Sequence, residues 1–377
     1  MRILIVEPGS AWSVQDVWTG IVGAFQRQGH EVHQYSLDSR LGQWARFLVT
    51  AWRKARKRVL DLVRPTMADI LYLSSFWALE QALRHRVDWV LVVSALFFHP
   101  DVLEMIRRAG VRVVILFTES PYDDAQQIEY AQWADACWVN ERTSVARFRQ
   151  VNPNTFYWQH AMDPARHQRA APADGGGDMP TANGTFAPAP DDGETAAHDV
   201  VFVGTGWPER CELLSAVDWT GIDLGLYGAW GLLGSRSRLR QYVRGKITPN
   251  EKTVALYRRA KIGVNLHRLS MGWGSKAPRI TAAESINPRC YELAATGCFF
   301  VSDWRMELEE VFAGAVPTFK TPGEMERVIR QYLADDEGRR QRAAALPGLV
   351  AHQTFDERVK LMVGELEKID RNVKICG

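Results

Sequence analysis

The residue types that could do chemistry concentrate in one stretch, Glu284-Ser285-Ile286-Asn287-Pro288-Arg289-Cys290-Tyr291-Glu292-Leu293-Ala294-Ala295-Thr296-Gly297. Ser285 suits a helix N-cap. Pro288 suits only a first helical turn, where backbone N–H groups have no partner inside the helix. Those N–H groups and the positive end of the helix dipole favour an anion such as a diphosphate. Arg289 adds a forked cationic donor. Glu292 follows three residues later on the same helical face, where a carboxylate can accept both hydroxyls of a ribose. The same residues also fit an ordinary capped helix with an Arg–Glu surface pair. A second feature is the turn Val203-Gly204-Thr205-Gly206-Trp207. Gly204 and Gly206 would let a phosphate approach the backbone closely. The third glycine of a dinucleotide fingerprint is missing, and no P-loop motif occurs.

These residues need elements to position them. In the first half, short apolar runs alternate with amphipathic stretches. Strands are predicted at Ile3–Val6, Glu31–Tyr35, Ile70–Leu73, Trp89–Val93, Val111–Phe117, Ala136–Val139 and Thr155–Trp158. Helices are predicted at Val14–Gln28, Trp44–Val63, Asp101–Ala109 and Arg142–Gln150. Strands that are apolar throughout and separated by helices argue for a parallel sheet covered on both faces. Residues 171–198 are rich in Gly, Ala, Pro, Thr and Asp and nearly lack large apolar side chains, so they read as a flexible insertion. The alternation then restarts with strands at Val200–Val203, Asp223–Tyr227, Ile262–Leu266, Phe299–Ser302 and Val316–Phe319. The expected architecture is α/β, with two doubly wound Rossmann-like domains facing across a cleft. The expected boundaries are 1–164 for the first domain, 165–198 for the linker, 199–353 for the second domain and 354–377 for a helix returning to the first.

The composition is ordinary for a globular chain of 377 residues, 46% apolar and 24% charged. No run of eighteen apolar residues suggests a membrane span, and no signal peptide is evident. Five scattered cysteines show neither a disulfide framework nor metal spacing, which points to a cytoplasmic chain. The net charge of +2 is too small to imply a polyanionic partner by itself. Basic residues nevertheless cluster at Arg53, Lys54, Arg56, Lys57 and Arg58.

The stretch from Ser285 to Gly297 resembles the donor-binding signature of GT-B glycosyltransferases, and more narrowly the family around spore maturation protein CgeB. Ser285, Asn287, Arg289, Tyr291, Glu292, Ala294 and Gly297 fit its pattern. Val301-Ser302-Asp303 resembles the strand step that follows, and His352-Gln353-Thr354-Phe355-Asp356-Glu357-Arg358 resembles the closing motif. The resemblance implies a glycosyltransferase with a nucleotide-diphosphate sugar as donor, a UDP-sugar favoured, no permanent cofactor and no metal. It implies that Glu292 holds the ribose and that Asn287 and Arg289 lie near the diphosphate or the sugar. Gly204 and Gly206 would face the diphosphate, Tyr227 would lie near the base, and Asn265 and His267 would sit near the donor sugar. Lys246 or Arg268 would support Arg289. In the first domain, Phe117-Thr118-Glu119-Ser120-Pro121-Tyr122-Asp123-Asp124 resembles an acidic segment at a strand end. Glu119, with Asp123, Asp124 and His99 as competitors, is the candidate base for an acceptor hydroxyl. The acceptor could be a polysaccharide, a protein, a metabolite or, through the Arg53–Arg58 run, a modified base in DNA. A non-catalytic nucleotide-sugar-binding protein and an epimerase on the same fold are rival readings.

Overall fold

A computed structural model describes residues 1–9, 12–59, 61–168, 197–245, 250–271 and 278–376. Lys246 and nearly all of the expected insertion lie outside the described residues. The chain divides into two compact units, Met1–Gln159 with Arg358–Gly377, and His160–Glu357.

The first unit runs β1 (Arg2–Val6), α1 (Trp12–Arg27), β2 (Glu31–Tyr35), α2 (Leu37–Arg56), α3 (Met67–Arg84), β3 (Trp89–Val93), α4 (Pro100–Arg108), β4 (Arg112–Phe117), α5 (Asp124–Ala131), β5 (Ala136–Val139), α6 (Val145–Arg149) and β6 (Thr155–Tyr157). Its six strands are all parallel, in the order β2-β1-β3-β4-β5-β6. Every residue of β3 is buried, as a strand covered by helices on both faces requires.

One expected strand is a helix. Ile70–Leu73 lies in α3, whose start is fixed by a capping box: Thr66 Oγ1 accepts the Asp69 N–H, and the Asp69 carboxylate accepts the Thr66 N–H. Ile70, Ser74, Ala78 and Ala82, four apart, are buried along one side. A four-residue apolar run looks the same in a buried strand and on a buried helix face, and here the cap decides between them. The helix expected at Trp44–Val63 instead starts at Leu37 and stops at Arg56.

The second unit runs α7 (Pro164–His167), β7 (Val200–Val203), α8 (Pro208–Ser215), β8 (Leu224–Tyr227), β9 (Val243–Gly245), α9 (Asn250–Arg259), β10 (Ile262–Asn265), α10 (Pro288–Ala295), β11 (Phe300–Asp303), α11 (Met306–Phe312), β12 (Thr318–Phe319), α12 (Pro322–Ala334) and α13 (Asp336–Leu349). The last helix, α14 (Phe355–Cys376), belongs to the first unit from Arg358 onward. The second sheet is also parallel, ordered β12-β11-β10-β7-β8-β9. Side chains alternate across it. Val200, Phe202 and Val301 join one core, while Val201, Phe300 and the α10 residues Cys290, Tyr291 and Leu293 join the other. The strand order reverses between β7 and β10, so the loops leaving these neighbours part and expose a crevice at their carboxyl ends. No helix among the described residues is long and apolar enough to cross a membrane.

Candidate functional site

The start of α10 lies at this switch point. Its N-cap is Asn287, not Ser285, and the cause is Pro288 at the first helical position. Proline pushes the preceding residue into extended backbone, and Asn287 sits at φ −85°, ψ 165°. The Asn287 side chain makes no capping bond, and its Oδ1 is buried without a hydrogen-bond partner among the protein's own groups. The segment before it is pinned by the Glu307 carboxylate, which accepts the Ile286 N–H at 2.6 Å.

Arg289 lies between the ends of β7 and β10. Its guanidinium stands 4.9 Å over the Phe202 ring and donates to Asn265 Oδ1 at 3.2 Å. It also fills the space beside Gly204, where an added Cβ would come within 2.4 Å of the Arg289 Nη2. The Gly204 turn and the cation therefore fit each other. Asn265 is fully buried at the end of β10 and donates through Nδ2 to Ser302 Oγ at 2.9 Å on β11. One turn of helix further, Glu292 is half-buried. Burial raises its carboxyl above the ordinary value, against the opposing pull of Arg289 and Arg166.

His267 is buried two residues beyond β10. Burial lowers its pKa despite the neighbouring Asp303. Its neutral ring donates Nδ1–H to Asp303 Oδ1 at 2.7 Å, and its backbone N–H donates to the same carboxylate at 3.0 Å. Nε2 is then the lone-pair nitrogen, and the Asn265 amide nitrogen stands 3.4 Å away. Burial would raise Asp303, but His267 and these hydrogen bonds hold it below the usual carboxylate value.

Two expected donor residues have packing reasons for their identity. Gly206 faces the Trp230 ring, and an added Cβ would lie 2.4 Å from it. The Tyr227 hydroxyl bonds His198 Nε2 at 2.8 Å, and His198 Nδ1 in turn bonds Asp223 at 2.8 Å. His198 precedes β7 and Asp223 precedes β8, so the phenol is directed back along the sheet, away from the carboxyl-end rim. Arg268 stacks over the Trp207 ring at 4.2 Å.

Two further residues hold the crevice and give no signal in the sequence beyond a charged pair on a short helix. Arg210 donates to the Thr205 carbonyl at 2.9 Å and the Leu266 carbonyl at 2.6 Å, tying the glycine turn to the end of β10. Glu209 accepts the Leu269 and Ser270 N–H groups at 2.7 and 3.1 Å, which fixes the loop after His267.

In the first unit, Glu119 follows β4, and its N–H donates to Gln127 Oε1 at 3.3 Å. Thr118 Oγ1, Ser120 Oγ and Gln127 Nε2 around it are buried without a hydrogen-bond partner among the protein's own groups. Asp123 is the N-cap residue of α5, but its side chain makes no capping bond. Asp124 is buried and held by Ser144 and Arg147. His99 caps α4, with Nδ1 accepting the Asp101 N–H at 3.3 Å. Its neutral ring therefore carries the proton on Nε2. His99 lines a pocket of about 700 Å³ together with Arg64, Asp69 and Tyr72. Among the described residues, no group of three or more His, Cys, Asp or Glu side chains could hold a metal ion.

Residues 194–364 match the family model described as "Glycosyl transferase-like". This similarity spans somewhat less than half of the chain. The matched stretch holds the whole α10 constellation. No curated protein matches the sequence. Among solved structures, sucrose-phosphate synthase from Thermosynechococcus elongatus is 12% identical, with all of both chains covered and a TM-score of 0.59. The α,α-trehalose 6-phosphate synthase from Burkholderia multivorans is 11% identical over 99% of each chain, with a TM-score of 0.59. HepE from Anabaena, in complex with UDP, is 11% identical over 98% of this chain and 100% of its own, with a TM-score of 0.57. The likeness extends beyond residues 194–364 to the first unit, and the fold of the full chain is GT-B.

Proposed function

We propose that the protein transfers a sugar, most simply a hexose, from a nucleotide-diphosphate sugar to an acceptor hydroxyl, without a metal and in the cytoplasm. The arrangement of Arg289, Gly204 and Glu292 about the start of α10 carries this reading. The α10 N–H groups, Arg289 and the Asn287 amide suit the diphosphate, and Glu292 suits the ribose diol. Charge accumulates on the diphosphate as the glycosidic bond breaks, and donors already in place stabilise it without reorganising. UDP is the favoured nucleotide, supported by the UDP held in the similar Anabaena structure. Asn265 and His267 would border the sugar. With Tyr227 directed back toward His198, its ring rather than its hydroxyl would be the part available to a base.

On the acceptor side, Glu119 is our choice of base. Asp124 is already committed to Ser144 and Arg147, and the Nδ1 of His99 serves as a helix cap. In this scheme the acceptor oxygen gives its proton to Glu119 and bonds to the anomeric carbon as the diphosphate leaves.

Thermal unfolding of the wild type and of Glu292→Ala with UDP, GDP, ADP, TDP and their sugar conjugates tests the donor assignment. A nucleotide at one hundred times its Kd stabilises the fold by about 2.7 kcal/mol. The wild type should respond to UDP and the variant should not. A wild type that ignores every nucleotide removes the donor site. Release of epimerised sugar without any acceptor would replace transfer by epimerisation.

A further inference from the structure

We infer that the α2–α3 hairpin of the first unit is a docking surface for an anionic phospholipid bilayer, independently of the donor site. Two observations coincide there. Seven of the fifteen exposed large hydrophobic side chains among the described residues fall between Phe47 and Trp77, with Val63, Met67 and Phe47 exposed at 83%, 63% and 61%. Charge concentrates on the same segment, with eight Arg and Lys against three Asp from Leu37 to Asp69. Arg53, Lys54, Arg56, Lys57 and Arg58 are all exposed. α2 packs on α3 with Leu41, Trp44, Leu48 and Val49 half-buried, and only Leu37 is fully buried, so Phe47 and the basic residues stay on the surface.

The local geometry suits an interface between water and lipid. Trp52 donates through Nε1 to the Leu62 carbonyl at 3.0 Å, folding the segment after α2 back against it. The guanidinium groups of Arg56 and Arg64 stand over the Trp52 ring at 5.1 and 5.9 Å. Lysine and arginine can lay their stems along apolar surface while their heads meet phosphate. Exposed aliphatic and aromatic side chains beside them can enter the headgroup boundary. Duplex DNA would use the cations but leave Val59, Val63 and Met67 in water, whereas an anionic bilayer uses both sets. The charge complementarity and the apolar exposure therefore select the same partner. Docking there would bring the first unit to acceptors carried on a membrane surface.

Co-sedimentation with vesicles tests this. The full chain should bind vesicles of phosphatidylcholine mixed with phosphatidylglycerol, and not phosphatidylcholine alone. Replacing Arg53, Lys54 and Lys57 together by Gln should weaken binding more than a hundred-fold, at about five-fold per charge for about 1 kcal/mol each. Replacing Phe47, Val63 and Met67 together by Ser should leave attraction at low salt but abolish the fraction that survives high salt. All six positions are exposed, and unchanged melting temperatures would confirm folded variants. Equal binding to neutral vesicles, or vesicle binding unaffected by either triple variant, would overturn the inference. So would capture of duplex DNA with no vesicle binding. A dimer that the Ser variant splits, again with no vesicle binding, would assign the face to a second copy instead.

Discussion

At the scale of single residues, Arg289 is defined by what surrounds it. Phe202 lies beneath it, Asn265 accepts from it, and Gly204 leaves it room. Gly204→Ala would press a methyl group against the guanidinium and place a side chain at φ +157°, so both the guanidinium and the turn would be strained. Nucleotide affinity should then fall about ten-fold or more, the equivalent of one misplaced charge-assisted hydrogen bond, and the melting temperature should fall with it because of the backbone strain. Isothermal titration with UDP reads this directly. Glu292 makes a second prediction. Its pKa is raised, so its protonated form persists in the fold above the ordinary value of 4.5. A ribose diol donates to the ionised form. Nucleotide affinity should therefore rise as pH climbs through the raised value, and Glu292→Gln should bind weakly with no such dependence. Titrations at several pH values would show the slope, and a slope retained by the Gln variant would assign it elsewhere.

At the scale of elements, each key helix has a start that its own residues determine. Pro288 sets the start of α10 by forcing Asn287 out of helical backbone. Thr66 and Asp69 set the start of α3 through reciprocal bonds, and so make a helix of a run that could have been a strand. Thr66→Ala should cost about 1 kcal/mol, the usual worth of an N-cap hydroxyl, seen as a lower urea midpoint with an unchanged slope. An unaltered midpoint would mean that packing of Ile70, Ala78 and Ala82 alone holds the helix. The glycine turn after β7 and the end of β10 are bound together by Arg210, so the crevice depends on a side chain from neither strand.

At the scale of the whole molecule, burial of ionisable groups sets the pH range of stability. The His267 pKa is lowered by burial, so the unfolded chain binds its proton more readily than the native protein. The stability from this group is fully present above the ordinary value of 6.5 and is lost as pH falls through the depressed native value. Asp303 acts in the same direction at lower pH, from its ordinary value of 3.8 downward. Glu292 acts in the opposite sense: its contribution is present below 4.5 and lost as pH rises through its raised value. The two groups therefore give slopes of opposite sign, Glu292 from 4.5 upward and His267 from 6.5 downward. Urea melts across this range should show acid destabilisation that His267→Gln flattens, while Glu292→Gln steepens the net slope. If His267→Gln leaves the acid slope unchanged, the Asp303–His267 pair is not its source.

The sequence by itself determined what depends on near neighbours along the chain. Apolar runs between amphipathic stretches specified parallel sheets, because strands buried on both faces must be apolar throughout. Pro288, Arg289 and Glu292 marked the start of a helix suited to an anion, because helical geometry converts their spacing into one face. Local pattern alone misplaced α3, since a four-residue apolar run carries no period. Tertiary structure decided everything that depends on strand order. The adjacency of β10 and β11 brings His267 to Asp303, 36 residues away. The adjacency of β7 and β8 turns the Tyr227 hydroxyl toward His198. Reversal of order between β7 and β10 sets Gly204, Asn265 and Arg289 side by side. None of these contacts is encoded by spacing, because each forms only when a sheet closes over many intervening residues.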